Sequence, residues 1–329
     1  MQGVIYGQPQ QLKSLTEYID AVKERPGKQN IETPHPRYFF RGHSNRAYSL
    51  IPSIERTPYD ATLEVRMIEM ARNKRPDIFI KDDKLSLLAK MQHYGLPTRL
   101  LDFTINPLVA LYFACQNDEV DGEILEFEDQ RYSDGKALYG YTSLMFSEAW
   151  DPLDTGSYRN VCESYIRTYF SYDFQKELIL NLVGNIPLGG INIVDFYSRI
   201  CEEQWFKEWC RMKHMGSSDP KKICQILSAL LKCPVFVEAQ ETIERQRLQQ
   251  GIYLLIPNDV VEEDGMFIIK PTLPQLNIKG ANIGHRIIRA ENKKEILKDL
   301  DLIGINEGFL FGDSIDHVCS QIRRDVIFC

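Results

Sequence analysis

Apolar positions recur along the chain with two periods, one helical and one alternating. Leu12, Leu15, Tyr18, Ile19 and Val22 fall at helical spacing, which predicts an amphipathic helix over residues 10–24. Pro26-Gly27 ends it, and a loop marked by Pro34 and Pro36 leads into Tyr38-Phe39-Phe40-Arg41-Gly42-His43-Ser44. Three aromatics running into Arg-Gly predict a buried strand that ends by presenting a guanidinium at a glycine turn. Residues 60–75 and 82–94 carry two further helical patterns, the second with Leu85, Leu88, Ala89 and Gln92 on one face. Gly95 and Pro97 break it. A short apolar stretch then delivers Arg99, Asp102 and Thr104, and Asn106-Pro107 opens a helix through Ala114 with proline in its first turn. Gly122 introduces an alternating strand over residues 123–128.

Between about residues 157 and 233 long helical patterns dominate, at 158–183, 191–213 and 220–232, interrupted by Gly184, Gly189-Gly190 and Gly216-Ser217-Ser218. The aromatics of this stretch (Tyr165, Tyr169, Phe170, Phe174, Phe196, Trp205, Trp209) have the spacing of a helix–helix core rather than of a ligand cage. Strand character returns at 235–237, 251–257 and 286–289, followed by helices at 292–303 and 314–324. Strands that bracket a helical middle predict an α+β fold with a mainly antiparallel sheet, not a regular βαβ alternation. The expected organisation is an N-terminal helix and linker (1–35), a first part of the core (36–156), a helical insertion (157–233) and a second part of the core (234–329). The apolar runs 39–41, 100–104, 124–127 and 252–256, each bounded by turns, are expected to share one sheet region.

Composition narrows the function classes. The chain has 329 residues, 43% apolar and 26% charged, the profile of a globular protein with ample core. A net charge of −7 gives no electrostatic footprint for nonspecific nucleic-acid binding. No apolar run approaches the roughly 18 residues of a membrane span, and Met1-Gln2-Gly3-Val4 lacks the charged-then-apolar form of a signal peptide, so no membrane association and a cytoplasmic location are expected. The eight cysteines (115, 162, 201, 210, 224, 233, 319, 329) include no pair separated by only two residues, which favours buried thiols over a zinc knuckle. Phosphate-loop, Gly-x-Gly-x-x-Gly, Gly-x-Ser-x-Gly and His-Glu-x-x-His patterns are absent, and the six histidines do not fall at metal-ligand spacing. Most hydrolase, kinase and Rossmann readings are thereby removed, and no metal site is expected.

Charged groups in apolar settings carry a desolvation cost, so they are usually paired or used. Arg41, at the end of a hydrophobic strand, is read as functional. Arg99 and Asp102 have two open readings, a buried ion pair that holds a turn or groups that face a ligand. His43 and His93 are read as satisfied core or surface histidines. Arg41, Arg99, Asp102 and Thr104 are expected to line one cleft with His93 and Tyr94 at its mouth, where Tyr94 or Phe103 could stack on a ring.

Phe40-Arg41-Gly42 followed by His43-Ser44-Asn45 resembles the motif that names the FRG domain. The run Gln92-His93-Tyr94-Gly95-Leu96-Pro97-Thr98-Arg99-Leu100-Leu101-Asp102-Phe103-Thr104, continuing from Asn106 to Ala114, resembles that domain's longest signature, with Phe103 where tryptophan is commoner. Arg247-x-x-Gln250-Gly251-Ile252-Tyr253 and residues 303–313 look like its later elements, with Gly312 in place of a commoner proline. The resemblance spans roughly residues 36–325, least in the helical middle. The order of elements is also similar to that of ADP-ribosyltransferases, and implies an ADP-ribosyltransferase-like sheet core with an inserted helical subdomain. On that likeness Arg41 is the first-strand arginine that holds NAD, Thr104 the supporting hydroxyl, and Gln250, or its neighbour Gln249, stands where a glutamate is expected. Glutamine can hydrogen-bond a ribose but cannot stabilise an oxocarbenium-like transition state as a carboxylate does. Either another acid (Asp102, Glu307 or Glu244) serves, the chemistry needs none, or the fold only binds. The implied catalytic set is Arg41, Thr104, Gln250 and Asp102, and the implied NAD-binding set is Arg41, Gly42, His93, Tyr94 and Arg99. The implied activity is transfer of ADP-ribose from NAD, the substrate, to a protein, nucleic acid or small molecule, or NAD hydrolysis. The alternative is a non-catalytic nucleotide- or partner-binding module in a stress or defence response.

Overall fold

The computed structural model describes residues 9–24, 37–56, 58–79, 83–129, 172–212, 234–239, 244–276 and 284–312, together with residues 224, 227, 228, 230, 231 and 278. In chain order the strands are β1 Gln10–Leu12, β2 Arg37–His43, β3 Leu100–Thr104, β4 Gly122–Asp129, β5 Ile191–Asn192, β6 Val235–Val237, β7 Gly251–Leu255, β8 Val260–Glu263, β9 Met266–Ile269 and β10 Gly284–Ile288. The helices are α1 Leu15–Lys23, α2 Glu64–Lys74, α3 Pro76–Phe79, α4 Lys84–His93, α5 Pro107–Ala114, α6 Tyr172–Leu182, α7 Ile193–Ile200, α8 Gln204–Met212, α9 Glu244–Leu248, α10 Lys293–Leu302 and α11 Glu307–Phe311.

Seven strands form one sheet in the order β1-β10-β4-β2-β3-β7-β6, and only the β1–β10 pair is parallel. The fold is therefore α+β with a mostly antiparallel sheet. The four apolar runs expected to share a sheet are its adjacent strands β4, β2, β3 and β7. Phe40 lies opposite Thr104, Gly42 opposite Ile124 and Asp102 opposite Tyr253.

Three consecutive aromatics suit β2 because both of its faces are covered. Phe39 points into an aromatic cluster, with ring centroids 4.2 Å from Phe236, that also holds Phe103 and Phe127. Phe40 points to the other face and packs with Val109, Ala110 and Ile124 under α5. That helix starts where Asn106 accepts a hydrogen bond from the Leu108 amide at 3.0 Å, with Pro107 in its first turn.

Gly42 corrects one expectation. It makes no turn: β2 continues through it to His43, which pairs with Glu123. A Cβ at Gly42 would overlap the Ala110 carbonyl oxygen, so the glycine lets the α5 backbone lie directly on the strand.

Three other elements differ from the periodicity. The helix expected over 10–24 begins at Leu15, because Ser14 caps it by accepting from the Glu17 amide at 3.2 Å, and residues 10–12 extend the sheet edge instead. The pattern at 191–213 divides into β5, α7 and α8, with Asn192 capping α7 through the Val194 amide at 2.8 Å. Strand β5 then joins β8 and β9 in a separate three-stranded sheet. The β8–β9 hairpin turns at Asp264-Gly265, where φ is +50° and +75°, an Asp-Gly signal that alternation alone did not raise.

The expected helix at 314–324 lies outside the described residues, as do residues 158–171 and most of 213–233. Within the described part of the middle, Phe196 is buried and Phe174 stands 5.5 Å from Trp205, ring to ring, as a helix–helix core. One apolar cluster runs from Ile68 and Leu88 through Leu178 and Phe196 to Leu255. Lys84 fastens α6 to it by donating to the carbonyls of Leu180 and Val183 at 2.9 and 3.2 Å, a cation at a helix C-terminus. Among the described residues no helix is long and apolar enough to cross a membrane.

Candidate functional site

The middle of the sheet carries a cavity of about 270 Å³. Strand β2 supplies Arg41, β3 supplies Asp102 and Thr104, and α4 ends there with Gln92 and His93. Helix α9 brings Arg245 and Gln246 to it, and Gln249 follows in the turn before β7. Phe103 forms part of the wall, with its ring centroid 6.0 Å from the Arg41 guanidinium carbon.

Arg41 is half-buried and held at two points. Its Nε donates to His43 Nε2 at 3.0 Å, and Nη1 donates to the Asp102 carbonyl oxygen. Of the five N–H groups of a guanidinium, the two on Nη2 and one on Nη1 make no hydrogen bond among the described residues. Burial pulls the Arg41 pKa below its ordinary value, Asp102 opposes this, and Arg56 adds to the depression. A guanidinium remains protonated regardless.

His43 is more than a packed core histidine. Because its Nε2 must accept from Arg41, its proton belongs on Nδ1, which lies 2.9 Å from Glu123 Oε1. The other Glu123 oxygen lies 2.8 Å from His285 Nε2. A polar chain Arg41–His43–Glu123–His285 thus crosses β2, β4 and β10 and fixes the guanidinium from behind. Only His43 of its last three members stands in a motif read from the sequence. Glu123 and His285 are recognisable only once the strands are aligned.

Asp102 is the one carboxylate among the described residues that line the cavity. Its Oδ1 accepts from Gln92 Nε2 at 2.7 Å, and the Thr98 hydroxyl donates to the Gln92 oxygen, which fixes the orientation of that amide. Tyr253 faces Asp102 across the strand pair, and burial first, then the Asp102 charge, holds its phenol protonated well above the usual range. Burial lowers the Arg245 pKa, against Asp102 and Tyr253, and its guanidinium carbon stands 4.5 Å from the Phe311 ring centroid.

Arg99 corrects the binding-site expectation. It is 2% exposed and its side chain points away from Asp102 into the interior. Nε donates to Glu64 at 2.9 Å, Nη2 to the same carboxylate at 2.5 Å, and Nη1 to Asn258 Oδ1 at 2.8 Å and the Ile256 carbonyl at 3.3 Å. It is a buried ion pair, as one reading allowed, but with Glu64. That partner, 35 positions earlier, was invisible to local spacing.

Thr104 reaches the cavity, yet its hydroxyl is committed. It donates to the Gln249 carbonyl at 2.7 Å and accepts from the Asn106 amide at 3.0 Å, so it ties β3 to the turn before β7 and to the start of α5. Gln250 does not line the cavity. It occupies that turn with φ +48° and is exposed, its carbonyl accepting from the Ile105 amide at 3.1 Å. The amides brought to the site are Gln246 and Gln249. Gln249 Nε2 donates to the Leu310 carbonyl at 3.1 Å, while Gln246, 7% exposed, has its Oε1 buried with no hydrogen-bond partner among the described residues. A buried acceptor of this kind calls for a donor from elsewhere.

His93 and Tyr94 lie at the end of α4, where His93 lines the cavity and Tyr94, 59% exposed, stacks edge-on against it at 5.1 Å. Burial and then the Arg245 charge lower the His93 pKa from its ordinary value. The shift favours the neutral imidazole. In an NMR titration its midpoint is expected below that of an exposed histidine, and Arg245→Ala should move it part of the way back up, the burial contribution remaining. An unshifted midpoint in Arg245→Ala would remove the charge coupling between α4 and α9.

Among the described residues no group of three or more His, Cys, Asp or Glu side chains is placed to hold a metal ion. The described cysteines (115, 201, 210, 224) are free thiols, and burial pushes Cys115 up to about 12, which leaves it unreactive at neutral pH.

Comparison with known families places this geometry. The family model of the FRG domain matches residues 36–123, from the start of β2 through α5 to Glu123 of the polar chain. No curated protein and no solved structure matches the chain.

Proposed function

Taking residues 36–123 as an FRG domain, we propose that the cleft built around Arg41 binds NAD as substrate and transfers its ADP-ribose to an acceptor. The observation that carries the reading is the pairing of Arg41, with three uncommitted N–H groups, and the Asp102 carboxylate in one cavity. Arg41 grips a phosphate or ribose oxygen by charge-assisted hydrogen bonds. Gln246 Oε1, the buried acceptor without a partner, takes an N–H of the nicotinamide carboxamide. Phe103 and Phe113 offer apolar walls to the rings.

The chemistry is cleavage of the bond between ribose C1′ and the nicotinamide nitrogen. The bonding pair leaves with nicotinamide, and positive charge develops on the ribose. Asp102, oriented by Gln92 and Thr98, stabilises that charge electrostatically. The acceptor's lone pair then forms the new bond to C1′, and its proton is released to solvent. The acceptor is a protein, a nucleic acid or a small molecule, or water in simple hydrolysis. Thr104 and Gln250 act on this reading by holding the α9–β7 turn.

A second reading, a nucleotide-binding module without turnover, is favoured by one observation. A glutamine, Gln249 at the cavity or its exposed neighbour Gln250, stands where the likeness to ADP-ribosyltransferases expects a glutamate. The two readings separate in one experiment, nicotinamide release from NAD in the presence of cell lysate, with NAD affinity measured by calorimetry. Wild type is expected to release nicotinamide, and Asp102→Asn to do so about 100-fold more slowly with near-unchanged NAD affinity, the usual effect of removing one electrostatic stabiliser. Binding without release would establish the module, and no NAD binding at all would end both readings.

A further inference from the structure

A second cavity, of about 550 Å³, opens on the other side of Arg41. Arg41, Gly42 and Phe113 line both spaces, so the guanidinium stands in the partition between them. Their chemistry differs. The first holds Asp102 and amides. The second is lined by Arg56, Ser44, Tyr48, Ser49 and Gln116 beside Arg41, with no carboxylate among its described residues.

Two guanidiniums therefore face one space whose described lining holds no carboxylate, in a chain whose net charge is −7. Their mutual repulsion is part of what depresses Arg41. Neither is saturated. Arg41 keeps its Nη2 group, and Arg56 uses one donor, from Nη2 to the Ile51 carbonyl at 3.1 Å, a bond that steadies the side chain and leaves its other N–H groups available. The loop supplying the hydroxyls is held in shape. Tyr48 N donates to the Asn45 carbonyl at 3.1 Å, Ala47 N to Asn45 Oδ1 at 2.9 Å, and Arg46 N to the Asp121 carbonyl at 2.9 Å. Lys293 braces the same loop by donating to the Ser44 carbonyl at 2.8 Å.

We propose that this second cavity is a phosphate subsite, in which Arg41 and Arg56 take a phosphate or diphosphate group and the Ser44, Ser49 and Tyr48 hydroxyls add donors. Several hydroxyls beside two guanidiniums match an anion that presents many oxygens. With the nucleoside end in the first cavity, a dinucleotide lies across Arg41 and spans both spaces. This last step rests on the reading of the first cavity as an NAD site, whereas the phosphate subsite itself does not.

The test is calorimetric titration of the full-length protein with pyrophosphate and, separately, with NAD, for wild type, Arg56→Ala and Arg46→Ala. Arg46 is an exposed arginine of the same loop outside the cavity and controls for general charge. Thermal unfolding confirms that each variant is folded. Arg56→Ala is expected to weaken pyrophosphate about tenfold or more, the effect of losing one charged hydrogen-bonding partner, and Arg46→Ala to leave it unchanged. Pyrophosphate that does not bind wild type, or that binds Arg56→Ala as well as wild type, overturns the subsite. So does an equal loss in Arg46→Ala, which would mark diffuse attraction. Arg56-dependent pyrophosphate binding without NAD binding leaves the subsite standing and ends the NAD reading. NAD binding that is indifferent to Arg56 keeps the NAD reading and overturns only the placement of its diphosphate in this subsite.

Discussion

Glu64→Ala is expected to lower the free energy of unfolding by about 3–5 kcal/mol, the range for stranding one partner of a buried ion pair. Both side chains are 2% exposed, and the guanidinium of Arg99 has no water to turn to when the carboxylate is removed. It would keep Asn258 and the Ile256 carbonyl, which hold only Nη1. Chemical denaturation measures the loss directly. The double replacement Arg99→Met with Glu64→Leu should recover most of it, since an apolar pair of similar volume avoids the desolvation of two charges. Because Arg99 does not reach the cavity, that double variant should bind NAD as wild type does. A Glu64→Ala variant that loses less than about 1 kcal/mol, within the range of an exposed pair, would contradict the buried bridge.

Arg41→Ala is expected to reduce NAD affinity by two orders of magnitude or more, because two or three charged hydrogen bonds at about 1.5–3 kcal/mol each are lost together. Its stability cost should be small, about 1–2 kcal/mol, for two hydrogen bonds at a half-buried position. Arg41→Lys should recover little binding. An ammonium cannot donate in fork geometry to His43 and the Asp102 carbonyl while still offering groups to a ligand. Calorimetry and thermal unfolding on the same samples separate the two effects. If Arg41→Ala unfolds the protein, or binds NAD at wild-type strength, the guanidinium is structural and the site lies elsewhere. The two arginines are thus expected to differ, the Arg99–Glu64 pair acting mainly on stability and Arg41 mainly on binding.

Much of the architecture follows from short-range pattern. The run Phe39-Phe40 is satisfied by a strand covered on both faces, and the Asn-Pro pair before a continuous apolar run starts a buried helix. Residues 39–41, 100–104 and 124–127 therefore announce themselves as central strands, and Arg41 as a charge set among apolar neighbours. Where the sequence misled, a side chain met a partner from far along the chain. Gly42 looks like a turn until α5 is laid on β2 and its Ala110 carbonyl takes the space a Cβ would need. Arg99 looks like a ligand group until α2 brings Glu64 beneath it.

By itself the sequence determined the α+β class, the central strands, the family signature in residues 36–123 and the place of Arg41 on a central strand. These depend on period and local chemistry, which neighbouring residues carry. Only the tertiary structure decided that Gln246 and Gln249, not Gln250, face the cavity, that His43, Glu123 and His285 line up behind Arg41, and that Arg56 shares a second cavity with it. Strand register and the seating of α9 set those meetings, and register is a property of paired strands that no single segment encodes.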